Sequence, residues 1–254
     1  MNRNEAIEKL MQLQPPKGIG IIPGTTPVIS FGDFTTARVA TLGINPSSRE
    51  FLSGGKLIPS DNKRLVDFEV LGSGASFPLT SDQASQVWDG CAQYFTTNRA
   101  YWSWFKPLSD LLRATGALSY EDGSACHLDL SPWATDPVWR NLTKDQKQLL
   151  IQDGLELLNW QTQNNHLDAI IFNGRQVYEV IKDFTDIEIK EIEPFKYEAG
   201  GKQLTSELVV GVGPLGQKVL GWTLNLQEVR ATLGEKGEIR ANLCIWLRKK
   251  MYVD

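Results

Sequence analysis

Thiols and imidazoles are scarce in this chain. Cys91, Cys126 and Cys244 stand far apart, with no C-x-x-C pair and no even-numbered framework. That argues against a disulfide scaffold and for a reducing setting. Three thiols also exclude an all-cysteine, four-ligand iron–sulfur cluster within one chain. His127 and His166 are the only histidines, so no metal centre is expected. A basic excess is lacking as well: 26 Lys and Arg oppose 30 Asp and Glu, for a net charge of −4. No global positive field advertises nucleic acid, although the charge lining a groove is what decides binding. No apolar run approaches the roughly 20 residues of a membrane span. The charged N-terminus reads as a short amphipathic helix stopped by Pro15-Pro16, not as a signal peptide. A cytoplasmic protein without membrane partners is expected. Missing too are a G-x-S-x-G elbow, a P-loop lysine motif and a G-x-G-x-x-G after the first strand, which removes most support for NTPase and dinucleotide readings.

What is present suffices for a sizeable core: 41% apolar residues and eight tryptophans in 254 residues. Four short apolar runs read as buried strands: 37–42, 125–130, 169–172 and 219–222. Helical patterns separate them. One runs over 107–114 with Pro107 in its first turn and Gly116 after its end. Another opens at Thr143 with capping-box spacing to Gln146 and runs to about Asn159. A third covers 175–184, with Val177, Val180, Ile181 and Phe184 on one face. The last covers 238–250 and ends in Arg248-Lys249-Lys250, where cations suit the helix dipole. Residues 188–217 read as hairpins, with Gly200-Gly201 as a turn. The segment 47–97 is long and rich in Gly, Ser and Asp, with helical potential over 81–94. Such a loop in a compact domain is functional or an insertion. No linker is visible, so a single domain over 1–254 is expected.

Strands alternating with helices imply an α/β fold with a parallel sheet covered on both faces. Ligands then bind at the carboxyl ends of strands. Four exits therefore matter: Asn45, Asp129, Asn173-Gly174 and Asn225. Pro46 holds Asn45 extended, and its amide can donate and accept at once. The same residues also make an ordinary strand-to-loop turn. Asp129 ends an apolar strand, where an unpaired carboxylate is costly to bury, so it is exposed, capped or functional. Asn173-Gly174 opens a helix beside Arg175, which suits an anion or simply a tight turn. Trp222, Asn225, Gln227 and Arg230 suit a loop touching nucleic acid, or a plain connection. The aromatic stretch "YWSWF" at 101–105 reads as core.

In order, these segments resemble the uracil-DNA glycosylase superfamily, and most of all its mismatch-specific uracil/thymine branch. "GINPSS" is similar to that branch's Gly-Ile-Asn-Pro motif. "TTNRAYWSWFKPLSDLLRATGA" resembles its Asn-Arg helix, "LDLSPWATDPVWRNLTKDQKQLL" its second strand, and "AIIFNGRQVYEVI" its third. The resemblance extends over most of the chain from about residue 25. It implies a three-layer α/β/α domain with a small central parallel sheet, from which the long insertion at about 47–97 departs. It implies a monomeric, DNA-binding enzyme that flips a damaged or mismatched base and cuts its N-glycosidic bond without metal or cofactor.

The resemblance places Asn45 as the residue positioning the attacking water, with Asn225 as the second catalytic group. It puts Asp129, Phe51 and Ile44 at the base, and Asn98, Arg99, Thr135, Arg175 and Arg230 on DNA. Two further departures stand out. The usual His-Pro-Ser motif after the last strand is replaced by "GWTLNLQEVR", with Asn225 in place of His. Asp129 falls where many relatives use Asn to read a pyrimidine. A carboxylate only accepts hydrogen bonds, so it repels O4 of uracil and favours a base offering N–H or amino donors. Two alternatives remain: a superfamily member that binds a base or nucleic acid without cleaving it, and a hydrolase of free modified nucleosides.

Overall fold

The computed structural model describes residues 1–116, 118–163 and 167–253. In chain order the elements are α1 (Arg3–Gln12), β1 (Val39–Gly43), β2 (Leu52–Ser53), β3 (Lys56–Leu57), α2 (Phe68–Leu71), α3 (Ser81–Ala92), α4 (Trp102–Gly116), β4 (Ala125–Asp129), α5 (Lys144–Gln163), β5 (Ala169–Asn173), α6 (Arg175–Phe184), β6 (Glu188–Ala199), β7 (Lys202–Val212), β8 (Lys218–Trp222) and α7 (Leu233–Tyr252). Short 3₁₀ turns lie at Ser48–Glu50, Ser60–Asn62, Tyr94–Thr96 and Trp139–Asn141. The architecture is mixed α/β: a six-stranded sheet in the order β4-β1-β5-β8-β7-β6, flanked by helices. Among the described residues no helix is long and apolar enough to cross a membrane.

All four strands read from apolar runs are present, because each is buried along its length and β-branched residues suit that setting. β1 and β8 both pair with β5 in parallel. The sheet then departs from a small parallel one. β7 pairs antiparallel with β8, and β6 with β7, so the 188–212 hairpin extends it. Gly200 and Gly201 both have positive φ at the hairpin turn, where a side chain would be strained. The outer strand β6 blunts its free edge with Glu188, Lys190, Glu191, Glu193 and Pro194.

The chain divides into two compact units. The first comprises Met1–Ala37, Ile44–Tyr101 and Cys126–Asn165. There α1 lies on α3, burying Ala6, Ile7 and Leu10 with Ala84, Val87, Trp88 and Cys91. Three of its helix starts carry capping boxes: Asn2 with Glu5, Thr80 with Gln83 and Thr143 with Gln146. Residues 20–31 run antiparallel beside 127–136, with bridges Phe31–His127 and Ile21–Thr135. Gly154 of α5 is obligatory in this unit: a Cβ there would lie 1.8 Å from the Leu130 carbonyl oxygen. α5 therefore crosses directly over the exit of β4.

The second unit comprises Arg38–Gly43, Trp102–Ala125 and His166–Asp254. Here α4 packs on α7, and α6 on β5 and β8. Three helix boundaries differ from the sequence reading. α4 begins at Trp102, so Pro107 sits inside the helix and not in its first turn. α5 continues to Gln163. α7 begins at Leu233, five residues early, because Thr232 and Glu235 form a capping box whose stabilisation outweighs the poor helix propensity of Gly234 and Gly237.

Candidate functional site

The exits of β1 and β4 are laced together within the first unit. The Ser131 backbone N–H donates to the Ile44 carbonyl at 2.9 Å. One step on, Asn45 Nδ2 donates to the Trp133 carbonyl at 3.1 Å and to Thr135 Oγ1 at 3.3 Å. A carbonyl can only accept, so these partners fix which end of the amide is nitrogen. Asn45 Oδ1 has no hydrogen-bond partner among the described residues, and the side chain is half-buried. A fixed amide thus presents an acceptor to a position that water can reach. Trp133 is itself pinned, since its Nε1 donates to Asp153 Oδ2 at 2.7 Å.

Thr135, expected on DNA, is 1% exposed. Its hydroxyl orients Asn45 and has no surface to offer a phosphate. Phe51, expected to stack on a base, is 3% exposed, so its ring belongs to the core and leaves no open face. Ile44 is half-buried at the turn. Asp129 is 8% exposed, with Oδ1 3.4 Å from His127 Nε2.

Beside them stands a residue that the sequence reading passed over. Glu50 closes the 3₁₀ turn Ser48–Glu50 that Ser47 caps, and it is 2% exposed. Tyr94 donates its hydroxyl to Glu50 Oε2 at 2.7 Å and accepts from the Tyr101 backbone N–H at 2.8 Å. The Phe31 ring bridges this cluster to β4, with centroids 4.7 Å from Tyr94 and 5.7 Å from His127. Burial pushes the Glu50 carboxyl up to about 7; the Tyr94 hydroxyl and the Arg64 charge pull the other way, and the Asp129 charge adds to the rise. In sequence, Glu50 is one polar residue in "SSRE", and nothing local marks it for burial.

Three arginines converge nearby in the same unit. Arg49 donates from Nη1 to the Tyr101 hydroxyl at 2.6 Å, and its guanidinium carbon lies 6.0 Å from the Tyr101 ring centroid. Arg64 lies 5.5 Å from that centroid and donates to the carbonyls of Arg49 and Arg99 at 2.5 and 3.1 Å. Arg99 donates to the Lys63 carbonyl at 3.5 Å. Among the described residues none of the three forms an ion pair with a carboxylate. Asn98 and Arg99 are exposed. In an acidic chain this is a local basic face, held by carbonyls and one aromatic ring.

The second unit carries the other two exits. Asn173 Oδ1 accepts from Trp222 Nε1 at 2.7 Å and from the Leu226 N–H at 3.1 Å, while Nδ2 donates to Gln227 Oε1 at 2.6 Å. Its amide is spent on structure. Gly174 has φ +109°, which α6 needs at its cap. Arg175, exposed, pairs with Glu207 at 3.6 Å. Asn225 Oδ1 accepts from the Gln227 N–H at 3.1 Å, so its Nδ2 is the free end of a half-buried amide. Arg230 is exposed. Among the described residues no group of three or more His, Cys, Asp or Glu is placed to hold a metal ion. No protein-family model matches the chain, and no curated protein matches it.

Proposed function

We propose that the protein binds DNA, turns a damaged or mismatched base out of the helix and releases it by hydrolysis of the N-glycosidic bond. The observation that carries this reading is the Asn45 amide, fixed by Trp133 and Thr135 with its oxygen open. Such an oxygen holds a water by accepting a hydrogen bond from it. In the reaction the C1′–N bond breaks and its electron pair leaves with the base. The sugar passes through an oxocarbenium-like state. The held water forms the new C1′–O bond and gives its proton to solvent. A neutral amide positions water without taking up a proton, so the enzyme is slow; a true general base typically contributes about 10²–10⁴-fold more. In the second unit Asn225 presents an open Nδ2 among the described residues, a neutral donor of the kind that stabilises departing negative charge.

The face built on Arg49, Arg64 and Arg99 supplies the phosphate contacts that a net charge of −4 withholds elsewhere. A specific observation favours a second reading, base binding without cleavage: neither Asn45 nor Asn225 can accept a proton.

The test is a panel of oligonucleotides bearing uracil, mismatched thymine, hypoxanthine, xanthine and alkylated bases, scored for abasic sites beside Asn45→Ala. Release by the wild type and not by the variant is the expected outcome. Tight, salt-sensitive binding without release selects the second reading. Equal release by Asn45→Ala overturns the mechanism.

A further inference from the structure

We propose that Asp153 is a positioning residue for base release: from α5 it clamps the Trp133 indole and thereby sets the direction of the Trp133 carbonyl that orients the Asn45 amide. This rests on the base-release reading above.

Beyond the exit of β4 the carbonyls of Pro132, Trp133 and Ala134 alternate in direction, as along any extended strand. Those of Pro132 and Ala134 accept from the Val28 and Ile22 N–H groups at 2.8 and 3.1 Å. The Trp133 carbonyl between them turns the other way and accepts from Asn45 Nδ2 at 3.1 Å. The backbone bonds tie one edge of this strip to residues 20–31 and leave it able to roll about that edge. Thr135, the second acceptor of the amide at 3.3 Å, sits on the same strip. A roll therefore carries both partners of Asn45 out of line together.

The indole blocks that roll. It is fully buried, its Nε1 donates to Asp153 Oδ2 at 2.7 Å, and the Phe77 ring stands edge-on to it with centroids 5.5 Å apart. The helix end of the clamp is equally fixed. Asp153 is followed by Gly154, whose missing Cβ lets the α5 backbone close on the Leu130 carbonyl. From α5 to Asn45 the path is one carboxylate, one indole and one carbonyl. A simpler role for Asp153 is to satisfy a buried indole N–H. That role predicts lost stability alone. Positioning predicts a disturbed amide and a slower chemical step.

The experiment compares wild type, Asp153→Ala, Asp153→Asn, Trp133→Phe, the Asp153→Ala/Trp133→Phe double variant and Gln161→Ala. Gln161 lies on the same helix and donates to the Ile29 carbonyl at 2.6 Å, so its loss costs stability without touching the clamp. The readouts are the urea midpoint, DNA binding by anisotropy, single-turnover base release, and the Asn45 side-chain amide signal in a nitrogen–proton NMR spectrum. That signal is identified by its loss in Asn45→Ala. Asp153→Ala, Trp133→Phe and the double variant are expected to shift the Asn45 signal alike and to speed its exchange with solvent. Each should slow release about tenfold, the double no more than either single, while DNA binding holds. Asp153→Asn keeps an acceptor for the indole and restores both the signal and the rate. Gln161→Ala lowers the midpoint and leaves both at their wild-type values. A wild-type Asn45 signal in Asp153→Ala overturns the proposal, as does an equal disturbance in Gln161→Ala. If the wild type releases no base from any oligonucleotide, the base-release reading falls, and the Asn45 signal still decides whether Asp153 sets the amide.

Discussion

The exits of β1 and β5 both set an asparagine after a buried parallel strand, and the two amides are used in opposite ways. Asn173 is saturated at both ends by Trp222, Leu226 and Gln227. Asn45 is saturated at its nitrogen and open at its oxygen. The same contrast holds for their surroundings. Around Asn173 the polar atoms answer one another. In the unit of Asn45 stand two nearly buried acids, Glu50 and Asp129, and three arginines that form no ion pair with a carboxylate among the described residues. A closed network rigidifies a fold; a half-open one waits for something that is not part of the chain.

Breaking the closed side has the largest expected effect. Asn173→Ala leaves Trp222 Nε1, on a fully buried ring, and the Leu226 N–H without acceptors. Stability should fall by about 3–5 kcal/mol, read as the shift in urea midpoint at constant slope. A loss under about 1 kcal/mol would erase the contrast.

Glu50→Gln sharpens the open side through its pH dependence. Below about pH 4.5 the carboxyl is protonated folded or unfolded, so it costs nothing. As the pH climbs to about 7 the folded chain keeps a proton that the unfolded chain has released, and stability falls with rising pH across that window. The accumulated loss is up to about 3 kcal/mol and stays constant above it. The glutamine variant has no such slope, so urea midpoints of the two proteins should diverge between those limits and run parallel outside them.

Asn45→Ala should cost little stability, about 1 kcal/mol for its two hydrogen bonds, and about 10²-fold in base release for the water it no longer holds. The separation of the two readouts is the point: on the open side function exceeds stability, on the closed side the reverse.

The sequence made much of this scaffold legible. Apolar runs located the four buried strands, α6 matched its periodicity at both ends, and Gly200-Gly201 marked the hairpin turn. Those signals are local. What decided the site is not local. Thr135 is buried because residues 20–31 run alongside it, and Glu50 is buried where Tyr94, 44 positions away, donates to it with the Phe31 ring packed against that tyrosine. Burial of a polar residue depends on contacts that no short pattern encodes. The helix start of α7 was hidden for a simpler reason: two glycines mask a cap.

Asn225 tests the comparison most finely, because it is the mirror of Asn45: oxygen tied to the Gln227 N–H, nitrogen open. Asn225→Asp keeps the tied oxygen and removes the donor. The turn also survives on its backbone bonds, since the N–H groups of Glu228 and Val229 donate to the Asn225 carbonyl at 3.2 and 3.1 Å. Stability should therefore stay within about 0.5 kcal/mol of wild type. Base release should fall about tenfold, less than an enclosed oxyanion donor contributes, because a half-buried amide shares the leaving base's charge with water. If release is unchanged, the open nitrogen at β8 is not a catalytic donor, and Asn45 carries the chemistry without it.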